Sequence, residues 1–216
     1  MTIRKLAVPV VLAAILLGGC RRTGEIEVEG GVGITAVRTA CPTVGVPAGT
    51  GDITIFDPPA SREANAIDVT ATITNVRATC GETGQDVVTS ISFDVNARRA
   101  RSDQQRTVTI PYFIAVVRGG SQVTAKRVEQ VAIDFPAGQL RATAQGSATS
   151  VIARSAATLP QEVRDQLTRR RRAGQEEAAI DPLNAPGVRA AVARATFEAL
   201  VGFQLTDEQL RYNATR

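Results

Sequence analysis

Across residues 32–153 apolar and polar positions alternate with a period of two, which predicts half-buried β-strands. Ile53 and Ile55 alternate with polar neighbours until Asp57, Pro58 and Pro59 break the run, and Ile67, Val69, Ala71 and Ile73 form a second set. After Asn75 the parity moves to Val76, Ala78 and Cys80. A one-residue slip turns every side chain to the other face, so this change predicts a β-bulge near Thr74 and Asn75 that keeps both sets facing the core. Residues 81–85 read as a turn, and Ile91, Phe93, Val95 and Ala97 form the next inward stripe. The charged run 98–106 reads as a solvated loop. Residues 107–117 are apolar on both faces, which predicts a central strand covered on both sides. Gly119, Gly120 and Ser121 mark a hairpin turn, and strands over 123–135 and 140–153 flank a turn at Pro136, Ala137 and Gly138.

Short strands at this spacing, without intervening helices, predict a mainly β domain over residues 34–157: an antiparallel β-sandwich, Ig-like in the broad sense. The chain has no tryptophan, and the interval from Cys41 to Cys80 is shorter than an immunoglobulin core disulfide wants. The reading therefore stops at the general class.

From residue 158 the period changes, predicting a helical C-terminal segment over 158–216. Thr158 is placed to cap a first helix, with Pro160 in its first turn, Gln161 completing a capping box, and Val163 and Leu167 on one face. Pro182 and Pro186 bracket a linker. A second helix is predicted from Val188, Ala191, Val192, Ala195 and Ala199, widened by Phe197, Leu200 and Val201. Thr206 and Gln209 repeat the capping pattern, and Leu205 with Leu210 fits a hydrophobic staple, predicting a short last helix to about residue 213. With Leu205, Leu210 and Tyr212 on it, that helix docks on its own sheet or into a partner's groove.

The start of the chain is different in kind. Residues 6–17 are apolar, interrupted by Pro9 and preceded by Arg4 and Lys5, the layout of a secretory signal. The run falls short of the roughly 20 residues a spanning helix needs. Its end, Leu17, Gly18, Gly19 and Cys20, resembles the lipobox of bacterial lipoproteins over the first twenty or so residues. The resemblance implies that residues 1–19 are a signal peptide removed ahead of Cys20, that the Cys20 thiol carries a diacylglycerol, and that the new amino group is acylated. Each buried acyl methylene contributes roughly 0.8 kcal/mol, and two or more chains hold stably where one does not. In that family an aspartate after the cysteine favours the inner membrane. Arg21 stands there instead, implying the periplasmic face of the outer membrane. Residues 20–33, polar and glycine-rich, then read as a tether.

Composition narrows the chemistry. The chain has no histidine, which removes Ser-His-Asp and Cys-His catalysis as usually built and the commonest transition-metal ligand. The formal charge of +4 includes Arg4 and Lys5 of the signal, so no nucleic-acid partner is implied. Cys41 and Cys80 suit neither a CxxC redox motif nor a zinc ribbon, and in an exported protein they predict a structural disulfide. Closing a loop of about 40 residues would stabilise the fold by on the order of 3–4 kcal/mol. Glu25, Glu27 and Glu29 share one face of a strand but lack a calcium-loop pattern, so they read as a solvated edge.

Arg169, Arg170, Arg171 and Arg172 are the candidate contact with an anionic surface, each worth roughly 1 kcal/mol there, set against a solvated helix end neutralised by Asp165, Glu176 and Glu177. Lys126 reads as a strand-surface lysine. Asp52, Asp57, Asp86 and Asp94 fall next to turns or at outward positions, and no two of them stand out as an acid pair. The sequence thus predicts a non-enzymatic, lipid-anchored envelope protein without metal or cofactor, acting through contacts with envelope proteins. The alternative is a lipid- or glycan-binding module using the arginine-rich tail.

Overall fold

A computed structural model describes residues 39–169 and 180–215. Cys20, the three glutamates at 25, 27 and 29, and Arg170, Arg171 and Arg172 lie outside the described residues. The strands are β1 (Thr43–Gly45), β2 (Asp52–Phe56), β3 (Ile67–Thr83), β4 (Asp86–Arg99), β5 (Arg106–Arg118), β6 (Gln122–Phe135), β7 (Arg141–Ala153) and β8 (Phe197–Phe203). The helices are α1 (Arg154–Ala157), α2 (Gln161–Thr168), α3 (Pro186–Ala195) and α4 (Asp207–Thr215). The fold is mainly β, as the alternation predicts. Two four-stranded sheets run in the orders β1-β8-β5-β6 and β2-β3-β4-β7, antiparallel except where β1 lies parallel to β8.

The predicted stripes face one core. Ile91, Phe93, Val95 and Ala97 of the second sheet join Ile110, Ile133, Val201 and Phe203 of the first in a single buried cluster. Burying one such large side chain stabilises the fold by roughly 1.5–3 kcal/mol. β5 is an interior strand between β8 and β6, with Ile110, Tyr112 and Ile114 buried on one face and Ala115 and Val117 on the other. That explains its apolar character at both parities.

The bulge falls where the parity change places it. Thr74 pairs with Asp94 and Arg77 with Ser92, so Asn75 and Val76 together oppose Phe93. Asn75 takes φ +52, a left-handed conformation that asparagine tolerates better than other side chains. Cross-strand partners share a face, and Cys80 pairs with fully buried Thr89. The extra residue therefore turns Cys80 to the core side of the sheet. Without it Cys80 would point outward, away from Cys41.

This gives a direct test. Deleting Asn75 is expected to leave Cys41 and Cys80 titratable as free thiols in the folded protein, whereas Asn75→Gly, which accepts the same φ, should keep them oxidised. An oxidised deletion variant would contradict the role given to the bulge.

Three expectations are corrected. Residues 158–216 are not helical throughout, because Phe197, Ala199, Val201 and Phe203 form the buried side of β8, paired with β5 and β1. The predicted second helix stops at Ala195. The run 98–106 is not simply solvated, because β4 extends to Arg99, which is 3% exposed. Thr158 does not cap α2; its hydroxyl donates to the Arg154 carbonyl, and Pro160 stands at the N-cap.

The last helix starts as predicted. Thr206 N–H donates to Gln209 Oε1 and Gln209 N–H to Thr206 Oγ1, at 2.9 and 3.2 Å, a reciprocal capping box. Leu205 is buried but Leu210 is 40% exposed, so the expected staple contributes little.

Candidate functional site

Three places gather side chains of chemical interest, the first where the N-terminal part of the chain joins the sheets. Cys41 and Cys80 form a disulfide, as the sequence predicts. Cys41 precedes β1 of the first sheet and Cys80 lies in β3 of the second, so the bond links the two sheets covalently. Small clefts of about 190 and 230 Å³ lie on either side of Thr39 and Ala40. Arg169 is exposed at the C-cap of α2.

The second place is the C-terminal helix. The Tyr212 ring meets the Phe56 ring edge-on at 5.2 Å, and Asn213 Nδ2 donates to the carbonyls of Gly49 and Asp52, both at 2.8 Å. The helix therefore docks on its own domain, at edge strand β2. Arg62 stacks over Phe56 at 5.1 Å and donates to Glu208 Oε2 at 2.7 Å. An open cleft of about 700 Å³ lies between Pro59, Ala60 and Arg62 on one side and Glu208, Arg211 and Tyr212 on the other. Arg62 and Glu208 are 38% and 70% exposed, so this ion pair adds little to stability.

The third is a set of buried polar groups. Arg99 ends β4 on the core side, and its guanidinium donates to the carbonyls of Gln139, Gln104, Pro136 and Ser102, at 2.8, 2.6, 2.8 and 3.3 Å. It also lies 5.2 Å over the Phe135 ring. One side chain thus ties the β4–β5 connection to the β6–β7 connection. Asp68, its side chain 5% exposed, receives both oxygens' bonds from Arg106 at 2.8 and 2.7 Å. Those hydrogen bonds hold the Asp68 carboxyl below the usual carboxylate range despite its burial.

Tyr112 donates to the Ser147 carbonyl at 2.6 Å and lies 2.9 Å from Glu129 Oε2. Burial, with the Glu129 hydrogen bond and charge behind it, pushes its phenol up to about 12. A folded value above the ordinary value of about 10 leaves stability intact below pH ~10 and removes it as pH rises toward 12. The phenolate absorbance of the folded chain should accordingly contain a late step near pH 12 that Tyr112→Phe abolishes. The chain has two tyrosines and no tryptophan, which keeps that titration readable. Ionisation of Tyr112 complete near pH ~10 would contradict the burial.

Of the other residues singled out by sequence, Asp52 borders the second place, where its carbonyl accepts from Asn213. Lys126 lies on the strand surface, its ammonium 5.0 Å over the Phe113 ring. Asp52 accepts from Thr72, Asp57 pairs with Arg101, and Asp94 accepts from Asn75. The deeply buried acid, Asp68, is one that sequence reasoning did not single out. Among the described residues no group of three or more Asp, Glu, Cys or His could hold a metal ion, and no helix is long and apolar enough to cross a membrane.

Comparison of the chain with protein-family models, curated proteins and solved structures returned no match.

Proposed function

We propose that this is a lipid-anchored lipoprotein of the bacterial envelope, attached through Cys20 to the periplasmic face of the outer membrane. Its β domain, a sandwich Ig-like in the broad sense, serves a structural or assembly role through contacts with envelope proteins and not through catalysis. The observation that carries this reading is the use of the three cysteines. Cys41 and Cys80 are bonded to each other, a bond that suits an oxidising compartment. The third, Cys20, stands at the end of Leu17, Gly18 and Gly19 and is left to the lipid.

Three of the buried polar groups support the non-catalytic part. Arg99 is occupied by four carbonyls, Asp68 by Arg106, and Tyr112 by Ser147 and Glu129. Their chemistry serves architecture. Photocrosslinking in cells from outward positions of β6, such as Val123 and Val128, which are 60% and 51% exposed, is expected to capture one envelope protein reproducibly. Capture should drop when Cys20→Ala releases the chain from the membrane. Crosslinks confined to lipid or to glycan would overturn the protein-contact reading in favour of the arginine-tail alternative.

A further inference from the structure

The edges of the two sheets are β1, β6, β2 and β7, and they are not equally open. β1 has three residues and β2 five, and Asn213 of α4 donates to the carbonyls of Gly49 and Asp52 beside β2. β7 keeps one face buried over residues 146–152. β6 is different. Among the described residues it pairs with β5 alone, and every residue from 122 to 128 is exposed. Unpaired backbone donors and acceptors along such a strand are a template for another strand. Cations commonly guard an edge of this kind, and Lys126 and Arg127 would do so here if they stood alone. Two residues beyond Arg127, however, Glu129 shares its face, with Oε1 3.9 Å from the guanidinium. Val128 between them is 51% exposed.

Opposite charges two residues apart make the strand self-complementary. When two β6 strands run antiparallel with Val128 at the centre, Arg127 of each copy faces Glu129 of the other. Lys126 then faces Gln130, and Ala125 faces Val131. Opposed residues share a face, and Glu129 pairs with Tyr112 of the core, so both ion pairs fall on the core side and the two valines on the other. Centring one residue either way sets Arg127 against Arg127 or Glu129 against Glu129, and like charges directly opposite are destabilising. The charge pattern therefore favours one register over its neighbours.

We propose that two copies of this chain associate through β6, joined antiparallel about Val128 over residues 125–131 into one continuous eight-stranded sheet. The inference rests on the protein-contact reading and names the partner at β6 as a second copy. The ladder ends at Thr124, the extra residue where β6 bulges opposite Val116 and Val117. Ala40 packs with Val116 and Phe197, near the end of the sheet where β6 begins. The two N-terminal entries are then roughly 20–40 Å apart along the strands. Residues 21–38 span up to about 60 Å, enough for both chains to be anchored in one membrane.

The test places a photocrosslinking side chain at Val128 of one tagged copy, in cells that also make a second, differently tagged copy of the full chain. A product carrying both tags is expected. Arg127→Glu in both copies should lower it about tenfold, because two opposite-charge contacts become like-charge ones. Glu129→Lys in both copies should do the same. One copy with Arg127→Glu and the other with Glu129→Lys should restore the product, since each substituted charge then meets its opposite, and the recovery shows that both variants fold.

A double-tagged product that neither substitution lowers would overturn the proposal, and so would losses that the mixed pair does not restore. Capture of a different envelope protein in place of the second copy would overturn it and leave the protein-contact reading standing. Crosslinks to lipid or glycan alone would remove both.

Discussion

Replacing Gly146 by alanine is expected to destabilise the domain by about 3 kcal/mol, the upper range for overpacking a core. Gly146 of β7 pairs directly with Phe93 of β4, and the Phe93 ring lies across the glycine where a Cβ would overlap three of its atoms. The ring has no easy retreat. It is 2% exposed and meets Tyr112 edge-on at 5.1 Å, and Tyr112 is itself held by Ser147 and Glu129. Urea unfolding of Gly146→Ala, Phe93→Leu and the double variant should show a coupling of 1 kcal/mol or more, on the order expected for residues in contact. The smaller side chain relieves the overlap. Full stability in Gly146→Ala would show that the ring does not sit where the structure puts it.

The second large effect is expected at Arg99. Arg99→Met keeps the length of the side chain and removes the guanidinium from four carbonyls. Those of Ser102 and Pro136 keep a backbone donor, Gly138 and Gln139 respectively, while those of Gln104 and Gln139 lose the one described. Breaking a buried charged network in this way costs about 3–5 kcal/mol. Arg99→Lys should recover only part of the loss, because an ammonium has three donors and no planar fork to serve two connections at once. Hydrogen exchange should locate the damage, with protection falling first at the backbone amides of Ala100 and Gly138, which bond to the Asp68 and Ser102 carbonyls. A loss below about 1 kcal/mol, within the range of an ordinary surface change, would mean that water replaces the guanidinium at no cost.

These two sites differ in how far the sequence reveals them. The stripe Ile91, Phe93, Val95 and Ala97 is legible because its period of two is uninterrupted and turn residues flank it. Continued one step further, the same parity lands on Arg99. Its charge favours a loop assignment, and only the tertiary structure supplies the carbonyls that make its burial tolerable. Gly146 gives no comparable signal, since its role depends on facing Phe93 across a strand pair 53 positions away in register. The bulge at Asn75 is legible because a parity change leaves only two readings, and the register selects one: Ile73 pairs with Val95 and, past the bulge, Ala78 with Ile91, although Ala78 and Cys80 are themselves exposed. The capping box of Thr206 and Gln209 is legible because all its parts are local.

β8 is misread for the opposite reason. Val188, Ala191, Val192, Ala195 and Ala199 keep helical spacing through Thr196, and alanine and leucine are good helix formers. Phe197, Ala199, Val201 and Phe203 also alternate, which is the signal for a strand. The place between β1 and β5 decides for the strand, a choice that depends on neighbours distant in sequence. Of the candidate site, the pairing of Cys41 with Cys80 is legible from cysteine number and from the secretory layout of the first residues, which predicts an oxidising compartment. The docking of α4 on its own domain is one of two readings that its amphipathic pattern leaves open, and Tyr212 against Phe56 selects it.

Attachment through Cys20 is the claim on which the proposed location depends. Metabolic labelling with radioactive palmitate tests it most directly, comparing the wild-type chain with Cys20→Ala in the same cells. Label on the wild type and none on the variant, which should also leave the membrane fraction, is the predicted result. Equal labelling of the two, or no label on either, would contradict it.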